Sequence, residues 1–330
     1  MEPHLFTTGD IVKIYQYEGT RQSVVVAEKN GHIPAAIRGK KKPNSLRTWT
    51  LDQLPEIGKY FGYFKEFEES KVVTVFNQKG GVGKTGLVAT LSRTLALHGL
   101  KVCVIGLDPQ SSITLYLTNP VVRLKSLDEW KVPKTVKDYL SGASLSDVIL
   151  HTDLPTLSII PENHLLSDLN NELGVKSMRH KKLSPLIREL KETFNVVIFD
   201  TSPTFNSLAE CALYESNLHV MPVACEIGCY SVMEHNYSSL NDWFKLIGED
   251  PTRRILIPTM MANNRISQEI YSSYLSQYKG EILVQGLRRS IKGAEAESEG
   301  LGVIEYGPTS TLGQDYIEVN KAIYNLLLEV

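Results

Sequence analysis

Six short apolar runs, rich in β-branched residues, recur through the last three quarters of the chain, at 72–76, 102–107, 157–161, 195–199, 218–224 and 255–260. Unbroken apolar runs of this length suit strands covered on both sides. Segments with helical spacing separate them: 86–96, a surface helix over 135–140, a long stretch at about 230–246, one running through Leu275, and a closing segment over 315–330. This alternation predicts an α/β fold over residues 69–330, a mainly parallel sheet with helices on both faces.

Residues 1–68 are patterned differently. Thr7-Thr8-Gly9-Asp10 offers capping residues ahead of the apolar segment 11–15. After the polar break Glu18-Gly19-Thr20, a second short helix is expected over 21–29, stopped by Asn30-Gly31. Two extended pieces flank Gly39-Lys40-Lys41-Lys42-Pro43-Asn44-Ser45, and a final helix over 51–61 has apolar spacing at Leu51, Leu54, Ile57 and Phe61. Two helices followed by a basic-tipped wing predict a small winged helix-turn-helix. The phrases TTGDI, KNGHIPAA and RTWTLDQL resemble that module in MerR-type regulators. Between Arg21 and Arg47 stand seven basic residues and one acid, Glu28, the footprint of DNA backbone binding. Arg21, Gln22 and Ser23 at the start of the second helix are expected to face base edges. Arg38, Lys40, Lys41, Lys42 and Arg47 are expected to line the same nucleic-acid surface. An acidic connector, 66–70, marks the expected boundary between this module and the larger domain.

Composition narrows the classes. In 330 residues, 42% are apolar and 22% charged, the mix of a soluble globular protein. Lys+Arg 35 against Asp+Glu 37 leaves almost no net charge, so nucleic-acid binding has to come from local patches. Four scattered cysteines (Cys103, Cys211, Cys225, Cys229) form no zinc or redox spacing and suit a reducing cytoplasm. No run approaches a membrane span.

The chemistry concentrates at Lys79-Gly80-Gly81-Val82-Gly83-Lys84-Thr85-Gly86, which follows the run 72–76 and opens the helix-like segment. Strand, glycine loop and helix are the context of a phosphate-binding loop. Its amides and helix N-terminus hold a polyphosphate together with Lys84, and Thr85 is placed to offer its hydroxyl to Mg2+. The regular pattern wants glycine five residues before Gly83, where Gln78 stands; a second lysine, Lys79, follows. KGGVGKT resembles the deviant Walker A loop of the ParA/MinD family of P-loop NTPases, and the preceding Asn77-Gln78 resembles its ParA and Soj branch. The resemblance implies that Lys79 reaches across a dimer interface to the partner's nucleotide.

Two further strands end in acids. Asp108, after the run 102–107, would point into the crevice of an open sheet. Asp108-Pro109-Gln110 matches the family's segment, where this aspartate helps position the attacking water. Most relatives carry another acid two residues earlier; here that position is Gly106. The run 196–199 ends in Asp200, a Walker B pattern expected to serve Mg2+, although Ser202-Pro203 departs from the family's Asp-x-Pro-Pro. The stretch 286–296 is similar to the family's segment near the adenine. Arg288, Arg289 and Lys292 within it, with Arg265, are candidates for a sequence-independent DNA patch. His219, inside an apolar strand, is expected to be a satisfied core or edge residue. The closing helix carries Asp315, Glu318 and Glu329 against Lys321, so it reads as core-packing rather than membrane-seeking.

The resemblance implies a cytoplasmic, nucleoid-associated ATPase using ATP and Mg2+. It would dimerise on ATP, bind DNA and segregate a plasmid or other replicon with a ParB-like partner. Catalysis would fall to Lys79, Lys84 and Asp108, the metal to Thr85 and Asp200. A MinD-like positioning ATPase of another cargo and an ATP-switched transcriptional regulator remain as alternatives.

Overall fold

The computed structural model describes residues 5–38, 46–118 and 132–330; Lys40, Lys41 and Lys42 lie outside them. The N-terminal segment opens with β1 (Phe6–Thr7), then helices Thr8–Ile14 and Arg21–Lys29, then β2 (Ile37–Arg38) and β3 (Arg47–Trp49). Thr7 caps the first helix, accepting from Asp10 N–H. Asn30 and Gly31, at φ 73°, end the second. The three strands form an antiparallel sheet in the order β1-β3-β2. The expected last helix begins as a 3-10 turn, Leu51–Gln53, and becomes α-helical over Leu54–Phe61. Ile11, Val24, Trp49, Leu54 and Ile57 are fully buried between these pieces.

This segment is packed into the rest of the chain. Its apolar core is continuous with that of the large sheet. The Tyr15 hydroxyl lies 2.6 Å from the Leu54 carbonyl oxygen and 3.1 Å from that of Leu97. Phe64, just before the acidic connector, and Phe67, within it, both pack on Tyr324 of the C-terminal helix. Gly58 explains itself here: a Cβ on it would meet Leu97 O at 2.0 Å and His98 Cα at 2.8 Å. Backbone on backbone cannot yield, so Gly58→Ala is expected to cost about 1–3 kcal/mol. Thermal unfolding measures this; an unchanged Tm would mean the two parts do not meet at this point.

The large sheet has seven strands in the order β10-β9-β4-β8-β5-β7-β6. These are β4 (Lys71–Val75), β5 (Val102–Gly106), β6 (Leu150–His151), β7 (Leu157–Ile160), β8 (Val196–Asp200), β9 (Leu218–Ala224) and β10 (Arg254–Thr259). All neighbours are parallel except the short edge strand β6, antiparallel to β7, so the expected mainly parallel α/β architecture is present. Alternate side chains enter different cores: Val102, Val104, Val196 and Ile198 one, Cys103, Ile105, Val197 and Phe199 the other. Each face is therefore covered by its own helices, as the unbroken apolar runs required. The helix expected from about Tyr230 begins earlier, at Ile227, and runs to Ile247. The C-terminal helix Thr311–Leu328 buries Leu312, Tyr316, Ile317, Ile323 and Leu327. His219 is buried, its Nε2 2.9 Å from Leu213 O, and burial pushes its pKa down to about 4. Among the described residues, no helix is long and apolar enough to cross a membrane.

Candidate nucleotide-binding site

β4, β5 and β8 lie side by side at the centre of the sheet, and their C-terminal ends carry the three motifs. The glycine loop joins β4 to the helix Lys84–Leu97. Gly81 and Gly83 sit at φ 74° and 91°, where a side chain would strain the backbone. Gly83 caps the helix and no side chain satisfies its first amides, which leaves those N–H groups for an anion. The loop is tied from outside: Thr259 Oγ1 donates to Val82 O at 2.8 Å. Asn77 fixes it from inside, its Nδ2 donating to Pro222 O and its Oδ1 accepting from Lys79 N–H, both at 2.8 Å.

Lys84 is buried, its Nζ donating to the carbonyls of Asn77 and Lys79 at 3.1 Å each. Burial lowers its pKa against the opposing pull of Asp200 and Asp108. Lys79 points elsewhere. It is exposed, and its ammonium lies 3.8 Å from where a Cβ on Gly228 would stand. That is the first turn of the helix Ile227–Ile247. Among the described residues, no carboxylate pairs with it.

Thr85 Oγ1 donates to Asp200 Oδ2 at 2.9 Å. Asp200 is fully buried and its Oδ1 has no partner. Burial raises its pKa to about 7, while the Thr85 hydrogen bond and Lys84 pull it down. Asp108 Oδ1 accepts from Gln110 N–H at 3.0 Å, an Asx turn, and Asp108 N–H donates to Glu162 Oε2 at 2.9 Å. Glu162 is 1% exposed. Burial raises its pKa, with Asp200 adding to the shift, against two backbone N–H donors that lower it. The sequence did not single out Glu162. Its one trace is Gly106, the position without the expected acid.

Asp200 and Asp108 therefore both act on the Lys84 ammonium, while Glu162 stands behind Asp108, bonded to its backbone N–H. Beside the glycine loop, the Thr85 hydroxyl is bonded to one oxygen of Asp200, whose other, buried oxygen has no partner. Such hard oxygen donors suit Mg2+, which retains waters and phosphate oxygens rather than needing a full protein cage. Among the described residues, no three His, Cys, Asp or Glu side chains converge as such a cage. Residues 70–243 match the family described as AAA domain.

The chain belongs to the AAA domain family. It is a P-loop ATPase, and the loop, Asp108 and Asp200 all fall inside the matched span. Sporulation initiation inhibitor protein Soj of Bacillus subtilis is 27% identical over 259 residues, covering 77% of this chain and 98% of Soj. A putative plasmid partition protein of Borrelia burgdorferi bound to AMPPNP superposes with TM-score 0.59 at 21% identity, covering 79% of this chain and 99% of that one. Cobyrinic acid a,c-diamide synthase of Mycobacterium smegmatis, with bound ATP analogue and magnesium, gives TM-score 0.59 at 26% identity over 70% of this chain and 92% of its own.

The candidate DNA residues of the ATPase fall into two kinds. Arg288 is bound to Asp315 by several contacts, its Nε 2.9 Å from Oδ2, and Lys292 holds Glu295 at 2.8 Å. Arg265 pairs with Glu269 in its own helix at 3.2 Å and stays exposed, and Arg289 is exposed with Glu226 only at 3.9 Å. Arg265 and Arg289 line one shallow depression with Ile227 and Ile266. In the N-terminal segment, Arg21 lies over Gly9, Gln22 is exposed, and Ser23 Oγ accepts from Thr20 N–H at 3.3 Å. Arg47 Nε is bound to Glu28 at 2.7 Å, joining β3 to the second helix.

Proposed function

We propose that this ATPase is a partition protein. It forms a dimer on ATP, binds DNA in that state, and moves a plasmid or other replicon bound by a ParB-like adaptor. The observation that carries the reading is Lys79: a cation on the phosphate loop, unpaired and aimed away from its own loop. Lys84 and the loop amides hold the phosphates of the subunit's own nucleotide. Thr85 and Asp200 hold Mg2+, which when bound neutralises charge on the β- and γ-phosphates. Asp108 orients the attacking water. Lys79 enters the partner's site and stabilises charge there, as an arginine finger does elsewhere. Names among the relatives, partition proteins above all, support this purpose. The cell compartment that fits is the cytoplasm, on the nucleoid.

The N-terminal segment is read as a winged helix-turn-helix that adds DNA contacts. Two helices packed on a three-stranded antiparallel sheet support that. Arg21 and Gln22 at the second helix would reach bases. Arg265 and Arg289 are the ATPase residues best placed for phosphates, since they are more exposed than Arg288 and Lys292 and their own acids are held less closely. Binding of the full chain to random duplex DNA should require ATP and weaken steeply with salt, with log affinity falling by about 0.9 per phosphate contact per log unit of salt. Fluorescence anisotropy from low to moderate salt measures this. ATP-independent binding to a single operator would instead favour a transcriptional regulator, and binding to lipid vesicles in ATP a MinD-like positioning protein.

A further inference from the structure

β5 stops at Gly106, which pairs directly with Asp200 of β8. The space a side chain would occupy there is already taken. A Cβ on Gly106 would stand 2.6 Å from Glu162 Oε2, 2.8 Å from its Cδ and 3.0 Å from its Cβ. Glu162 comes from the turn after β7, on the other side of β5. Its two oxygens are divided between two amides, Oε2 taking Asp108 N–H at 2.9 Å and Oε1 taking Ile113 N–H at 3.0 Å. Its own N–H donates to Thr114 Oγ1 at 2.9 Å, and its carbonyl accepts from Ser111 Oγ at 3.2 Å. The whole turn 108–114 is thus stitched to one residue.

Burying a carboxylate with no cation against it is costly, and among the described residues none pairs with Glu162. Space-filling does not require an acid. The hydrogen bonds do: both partners are donors, so both side-chain oxygens must accept, and a glutamine would turn its NH2 onto one of them.

We propose that Glu162 is a positioning residue of the ATPase site, holding the Asp108 turn and supplying, through the gap left at Gly106, the buried negative charge that the strand end itself lacks. The proposal rests on the reading of the chain as a Mg2+-dependent ATPase with Asp108 at the attacking water. Glu162 acts through Asp108 and through the field at Asp200, not by touching substrate.

The exchange of the two positions tests it. Four variants of the full chain are compared with wild type: Glu162→Gln, Glu162→Ala, Gly106→Asp, and Gly106→Asp combined with Glu162→Ala. A fluorescent ATP analogue is titrated with and without Mg2+, and kcat, KM and Tm are recorded. Glu162→Gln should bind the analogue without Mg2+ within about threefold of wild type, because the Lys84 loop is intact. It should lose about 10- to 100-fold in kcat and in the Mg2+-dependent gain in affinity, so that KM measured with Mg2+ rises as well. Gly106→Asp alone should be as defective, since its carboxylate collides with that of Glu162. The double variant should recover most of the loss, the acid having moved from one strand end to the next. A purely structural Glu162 would lower Tm and leave the Mg2+ dependence alone, which overturns the proposal. So does a double variant no better than Glu162→Ala, should that variant or the single glycine replacement fold poorly. A wild-type chain that hydrolyses no more ATP than Lys84→Ala would overturn the ATPase reading and this inference with it. An active wild type with a normal Glu162→Gln overturns this inference only.

Discussion

Lys79→Ala is expected to abolish ATP-dependent dimerisation while leaving nucleotide bound to single subunits. The ammonium of Lys79 stands at the first turn of the helix Ile227–Ile247, where the helix dipole is positive. No carboxylate among the described residues relieves it. A cation in that position gains by moving to an anion, and the triphosphate of a facing subunit offers one. Lys84, whose Nζ donates to the carbonyls of Asn77 and Lys79, is the lysine proposed for the subunit's own phosphates. Hydrolysis should fall by about a factor of 1,000 or more, the range for a charge supplied in trans. Light scattering after gel filtration reads the dimer, and equilibrium binding of a fluorescent ATP analogue reads the monomer's affinity, expected within about threefold of wild type. A normal dimer in the variant would remove the mechanism. A variant that no longer binds nucleotide as a monomer would place Lys79 in its own site instead.

What could be read without the structure was whatever lies within one contiguous stretch. The glycine loop announces itself because strand, loop and helix are consecutive, and Asp200 because it ends an apolar strand. What could not be read were groups that meet only through the fold. Glu162 sits 54 positions from Asp108 in sequence, in a turn with no motif, and its significance depends on the absent side chain at Gly106. Arg47 and Arg288 look like solvated cations in a charge count, yet their acids stand 19 and 27 positions away. Gly58 is a poor helix residue locally and becomes necessary only where the helix meets Leu97. The edge strand β6 has two residues, too short for any periodicity. Asn77 was visible as a family resemblance, but its bonds to Pro222 and Lys79 belong to the folded loop.

Asp200→Asn should separate stability from function at one atom pair. The asparagine Oδ1 can still accept from Thr85, so packing is preserved, but the negative charge is gone. With it goes the acceptor proposed for Mg2+, and kcat should fall at least about 100-fold. The ligand-free protein should nevertheless become more stable. In the folded chain the Asp200 pKa is raised to about 7, against about 4 when unfolded. Between those values the folded state keeps a proton that the unfolded state has released. Folded stability from this group therefore falls as pH rises from about 4 to 7 and stays low above it. Removing the charge should return on the order of 2–4 kcal/mol at pH 8 and almost nothing at pH 4. Denaturant unfolding of both proteins across that range, without nucleotide, gives the difference directly. A difference that is flat with pH would mean the buried carboxylate is already compensated in the ligand-free protein. Its unpaired oxygen would then not be the place where the metal's charge is needed.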